Sequence, residues 1–131
     1  MDTQLKSRFV ALYQMVLADG VADPTELSAL NLIGINKYGI DPNQINQLIR
    51  ETSIQIKFPD SLNDKVSLLY QLGEIAWADG RIEDAEKELI KKYIVAMGFV
   101  KDNVNRIADF ILEQVKNKVP EKEVINKILN D

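Results

Sequence analysis

An all-α fold is the class this 131-residue sequence predicts, and two observations carry it. Apolar residues recur at intervals of three and four, as on amphipathic helices and unlike alternating strands. Proline and glycine fall between those stretches, where helices begin and end. In chain order the pattern predicts about seven helices, near 2–18, 24–37, 42–56, 61–78, 84–97, 101–117 and 120–129. The first carries Leu5, Phe9, Leu12, Tyr13, Val16 and Leu17 on one stripe and stops before Gly20. Asp23-Pro24 opens the second, which stops before Gly39, and Asp41-Pro42 opens the third. The fourth is marked by Leu62, Val66, Leu69, Leu72 and Ala76, with Gly80 beyond its end. The fifth follows Glu83 and stops before Gly98. Val104, Ile107, Ala108, Ile111, Leu112 and Val115 define the sixth. Val119-Pro120 opens the last, whose Val124, Ile125, Ile128 and Leu129 share a face expected to pack on its own domain. Met15, Tyr70 and Trp77 lie at helical spacing among apolar neighbours and read as packing.

The length suits one domain over 1–131, able to bury a core without covalent staples. A net charge of -4 argues against nucleic acid, which demands a dense basic footprint. The chain has no cysteine and no histidine, so disulfides, thiolate catalysis and imidazole chemistry are excluded. Any metal site must use oxygen ligands, which suits calcium, magnesium or manganese; no organic cofactor is expected. The opening "MDTQLKSRF" lacks a signal-length apolar run, and no stretch reaches the roughly 18 apolar residues of a membrane span. The expectation is a cytoplasmic protein without membrane insertion.

One motif is written twice. Ala18-Asp19-Gly20 precedes Glu26, and Ala78-Asp79-Gly80 precedes Glu86, an offset of 60 residues. With a one-residue slip, 38–49 also aligns with 97–108, so the chain reads as duplicated halves of about 5–56 and 62–117 plus a final helix at about 120–129. The halves are expected to pack about a pseudo-twofold axis, since a three-helix unit buries its apolar faces poorly alone. Helix capping accounts for part of the motif. Gly20 suits a left-handed residue after a helix, and Asp23, Pro24 and Glu26 follow the order of a capping box. Val21 and Ile82 read as apolar staples, and Glu83 holds the second cap position, where Glu is a poorer cap than Asp. Capping leaves Asp19 and Asp79 unexplained, because an acid at a helix C-terminus opposes the helix dipole.

The motif also matches the second half of an EF-hand loop, with acid, Gly, an apolar position and Glu in order. The first half is missing: Met15 and Leu17, or Ile75 and Trp77, stand where the leading acids belong. Neither loop alone supplies the six to eight oxygens calcium takes. Two half-sites joined by the repeat would do so, with Asp19, Glu26, Asp79 and Glu86 as inner ligands and Asp23 and Glu83 as outer ones. Carboxylates gathered in this way raise one another's pKa unless a cation neutralises them.

The paired Ala-Asp-Gly motifs, with "LYQMVLADG" and "GEIAWADGRIEDAE" as the fullest stretches, resemble the TerB family associated with bacterial tellurite resistance. Ala22 and Ile82 occupy the family's apolar position. The resemblance spans about 9–111. It implies an all-helical cytoplasmic domain, those acids as metal ligands, and stress-response partners near the membrane. Lacking cysteine, the chain has no thiol with which to capture tellurite. No enzyme is expected, since Arg81, beside the second motif, is the only obvious candidate for a clamp on a substrate. The competing reading is an interaction scaffold whose acids only cap helices.

Overall fold

A computed structural model describes residues 3–20, 22–50 and 55–130. Among these residues it holds seven α-helices and no strand: α1 (Thr3–Val16), α2 (Pro24–Tyr38), α3 (Pro42–Arg50), α4 (Leu62–Ala76), α5 (Asp84–Ala96), α6 (Val104–Lys116) and α7 (Glu121–Leu129). The all-α expectation holds. No helix among them is long and apolar enough to cross a membrane.

α4 is the axis of the fold. It packs against α1, α2, α5, α6 and α7, and Val66, Leu68 to Ala76 are buried except half-buried Glu74. The sequence marks one apolar stripe on this helix, but a helix covered on all sides buries the flanks of that stripe too. Phe9, Leu12 and Met15 of α1 meet Leu69, Leu72 and Ile75 of α4 in one core, joined by Leu30, Ile45, Ile90 and Ile111. Gly34 marks where α2 presses on this core. A Cβ there would collide with Ile45 Cδ1 and crowd Phe9 Cε1 at 3.3 Å. Gly34→Ala is therefore expected to destabilise the fold by about 1–3 kcal/mol, read as a lower urea midpoint. An unchanged or raised midpoint would show that Ile45 yields without strain.

Several boundaries differ from the sequence reading. α3 is described to Arg50, residues 51–54 lie outside the described residues, and 55–59 are non-helical, so the helix that periodicity carried to 56 does not reach 55. Pro59 disfavours helix at Phe58, and tertiary contacts hold this segment extended. Lys57 N donates to Ser7 Oγ at 2.9 Å, and the Phe58 ring lies 5.2 Å from that of Tyr93. α1 and α4 stop at Val16 and Ala76, after which each chain tightens into a turn. A 3-10 turn (Lys101–Asn103) replaces the first turn expected of the sixth helix. Pro120 caps α7 and is not its first residue.

α7 packs back onto its own domain, as expected. Val124 is fully buried, Ile125 and Ile128 are half-buried against the core, and Leu129 remains exposed. The Tyr70 hydroxyl donates to the carbonyl of Val119, and Glu121 accepts from Lys37 Nζ at 3.0 Å. Tyr70 and Met15 are core residues, and Trp77 packs at its edge with Nε1 donating to the Leu112 carbonyl at 2.9 Å.

Candidate metal centre

The two Ala-Asp-Gly stretches form corners of the same construction. After α1, Gly20 N donates to the Leu17 carbonyl at 2.9 Å; after α4, Gly80 N donates to that of Trp77 at 2.9 Å. Gly20 and Gly80 have φ of 88° and 90°, a left-handed conformation that costs other residues strain. Each corner then turns directly into a helix, α2 or α5.

Capping explains specific atoms at these corners. Asp23 Oδ1 accepts from Thr25 N at 2.7 Å and Glu26 N at 3.3 Å. At the second corner the roles shift, and Glu86 Oε1 accepts from Glu83 N at 2.8 Å. Asp79 Oδ1 accepts from Arg81 N at 3.2 Å, which closes the loop and gives this acid a local role that the sequence did not suggest. Ile82 packs half-buried against the core; Val21 lies outside the described residues.

Capping does not explain the rest. Glu26 and Glu86 are each only 2% exposed, and the Oε2 of each is buried without a hydrogen-bond donor. The two side chains come from different corners, and each acts on the other's ionisation. Asp79 joins from the second corner, so that Asp23, Glu26 and Asp79 each place a carboxylate oxygen within 4.8 Å of the other two. Burial pushes the Glu26 carboxyl up to about 9, helped by the Glu86 side chain and by repulsion from Asp79 and Asp19. Burial also raises Glu86, with Asp79 and Asp19 adding to it while the Glu26 side chain and the Glu83 N–H oppose.

Thus three of the six acids singled out by the sequence, Asp23, Glu26 and Asp79, form the cluster, and Glu86 and Asp19 act on Glu26 through charge. Asp19 is exposed, and its charge is felt by both glutamates. Glu83 instead pairs with Arg81 Nε at 3.2 Å. No lysine or arginine pairs with Asp23, Glu26, Asp79 or Glu86 among the described residues; the nearby Lys87 is taken by Asp109 at 2.9 Å. Oxygens on opposite sides of a calcium ion stand about 4.6–5.2 Å apart, so a 4.8 Å cluster fits within one coordination sphere. The donor set is oxygen alone, which suits a hard cation.

An all-helical domain whose paired acidic corners converge on buried carboxylates is the class that fold and site define. Residues 7–109 match the family described as tellurite resistance protein TerB, and the chain belongs to that family. The matched span takes in both corners and ends within α6, leaving α7 beyond it. No curated protein and no solved structure shows a significant match.

Proposed function

We propose that this TerB-family domain binds one divalent cation, calcium, magnesium or manganese, between its two corners and performs no catalysis. The observation that carries the reading is the pair of buried, donorless Oε2 atoms of Glu26 and Glu86, with Asp23 and Asp79 clustered on Glu26. A buried carboxylate needs a proton or a cation, and neither of these oxygens has a hydrogen-bond partner among the described residues. Glu26, Glu86, Asp23 and Asp79 would be ligands, with Asp19 adding charge and Glu83 at the margin. Against catalysis stand the missing histidine and cysteine and the lack of a basic clamp paired to the cluster. The scaffold alternative draws support from the caps made by Asp23 and Glu86, but it leaves the two Oε2 atoms without a purpose. A cytoplasmic stress-response setting, with partner proteins near the membrane, is the context the family resemblance favours.

Isothermal titration of each cation into chelator-treated protein tests the reading. One saturable site per chain is expected, lost in Glu26→Gln/Glu86→Gln. Absence of saturable heat up to millimolar cation, with the fold intact, would leave the scaffold reading.

A further inference from the structure

At the opposite end of α1, the first turns of α1 and α4 and segment 55–59 enclose a cleft of about 280 Å³. It lies about 12 Å along α1 from the start of the acidic corner, counted from Arg8 to the helix end at Val16. Leu5, Ile56, Pro59 and Leu68 form apolar walls, and Tyr38 closes one side. Three charged residues reach it: Arg8, Lys57 and Asp64.

Arg8 is the unusual member. Its Nη1 donates to Gln71 Oε1 at 3.0 Å and Ser67 Oγ at 3.3 Å, and its Nη2 donates to the Asp64 carbonyl at 3.3 Å. All three acceptors are neutral, and Arg8 forms no ion pair with any described residue. Ser67 and Gln71 pass their own hydrogen bonds to Glu121, but that charge is already met by Lys37 at 3.0 Å. Gln71 is 1% exposed and Tyr38 lies under the guanidinium at 5.9 Å, so the cation is held in place before any ligand arrives. A guanidinium has five N–H donors; three are used, leaving one at Nε and one at Nη2. Adjacent donors of this kind hold a carboxylate with two bonds. Lys57, exposed at the rim, also lacks an ion pair among the described residues. The sole sequence trace of this arrangement is a glutamine set inside the apolar run of α4.

We propose that this cleft binds a small organic carboxylate, its head on Arg8 and Lys57 and its apolar body against Leu5, Ile56 and Leu68. Arg8 and Lys57 against Asp64 leave a single positive charge, which selects a monoanion. The site is separate from the cation centre and does not depend on it.

The test is a 15N-labelled full chain titrated by NMR, in chelator, with sodium octanoate, 1-octanol and inorganic phosphate. Octanoate is expected to shift amides at 4–8 and 64–68 saturably at millimolar concentration, with octanol and phosphate far weaker. Arg8→Gln should weaken octanoate about tenfold or more through loss of charge-assisted bonds. Lys57→Gln, at an exposed position that leaves the fold undisturbed, should weaken it several-fold. Asp79→Asn should bind octanoate as the parent does. The assignment is overturned if octanoate gives no saturable shifts there, if octanol or phosphate matches it, or if Lys57→Gln and a folded Arg8→Gln bind undiminished.

Discussion

Calcium, magnesium or manganese added to the chelator-treated protein is expected to raise its melting temperature by roughly 10 °C at a hundredfold excess over the dissociation constant. A ligand that binds the native state alone contributes about 2.7 kcal/mol at that excess. A chain of this length gains about 3–5 °C per kcal/mol. The decisive comparison is Asp23→Asn/Asp79→Asn. Asparagine keeps the side-chain oxygen that accepts from Thr25 N or Arg81 N, so both corners keep their local hydrogen bonds. Only charge is lost. The double variant should therefore fold with nearly the parent's cation-free stability and lose most of the cation-induced shift. A parent that melts at the same temperature with and without cation would sink the metal reading.

The cation-free protein is expected to lose stability as pH rises from about 5 to 9. Glu26 keeps its proton in the fold up to about 9, against 4.5 ordinarily, because burial and its acidic neighbours disfavour the charge. Between those values the native state binds more protons than the unfolded chain. This contribution is fully present below about 4.5 and is lost as pH climbs through about 9. One proton gives a slope of at most about 1.4 kcal/mol per pH unit. Urea unfolding at pH 5, 7 and 9 in chelator measures it. Glu26→Gln, neutral throughout, should flatten the slope and stand above the parent at pH 9. Saturating calcium should also flatten it, since a cation replaces the proton. An equal slope in parent and variant would place the pH dependence elsewhere.

These expectations rest on features that differ in how legible they were. The corners could be read directly, since Gly20 and Gly80 adopt left-handed φ for reasons local to their own backbone. Asp23 also caps α2 as its position before Pro24 suggests. Boundaries were less legible wherever a distant group competes with local propensity, as where Ser7 holds segment 55–57 extended. The turn role of Asp79 escaped because an Asx turn leaves no sequence mark distinct from an acid at a helix end. Arg8 escaped because its significance depends on acceptors about 60 residues away on α4 and on its making no ion pair with a described residue.

The sequence by itself determined the all-helical class, the two corners and the oxygen-only chemistry of any metal site. Each depends on residue type and short-range spacing, which act within a few turns of chain. The tertiary structure alone decided that Glu26 and Glu86 are both buried and influence one another, that Asp79 crosses to the first corner's acids while Glu83 turns to Arg81, and that Arg8 lines a cleft without an ion pair to any described residue. The physical reason is that burial and charge repulsion act through space. The same carboxylate is an ordinary surface acid on one side of a helix, and on the other it is a buried group that needs a proton or a cation.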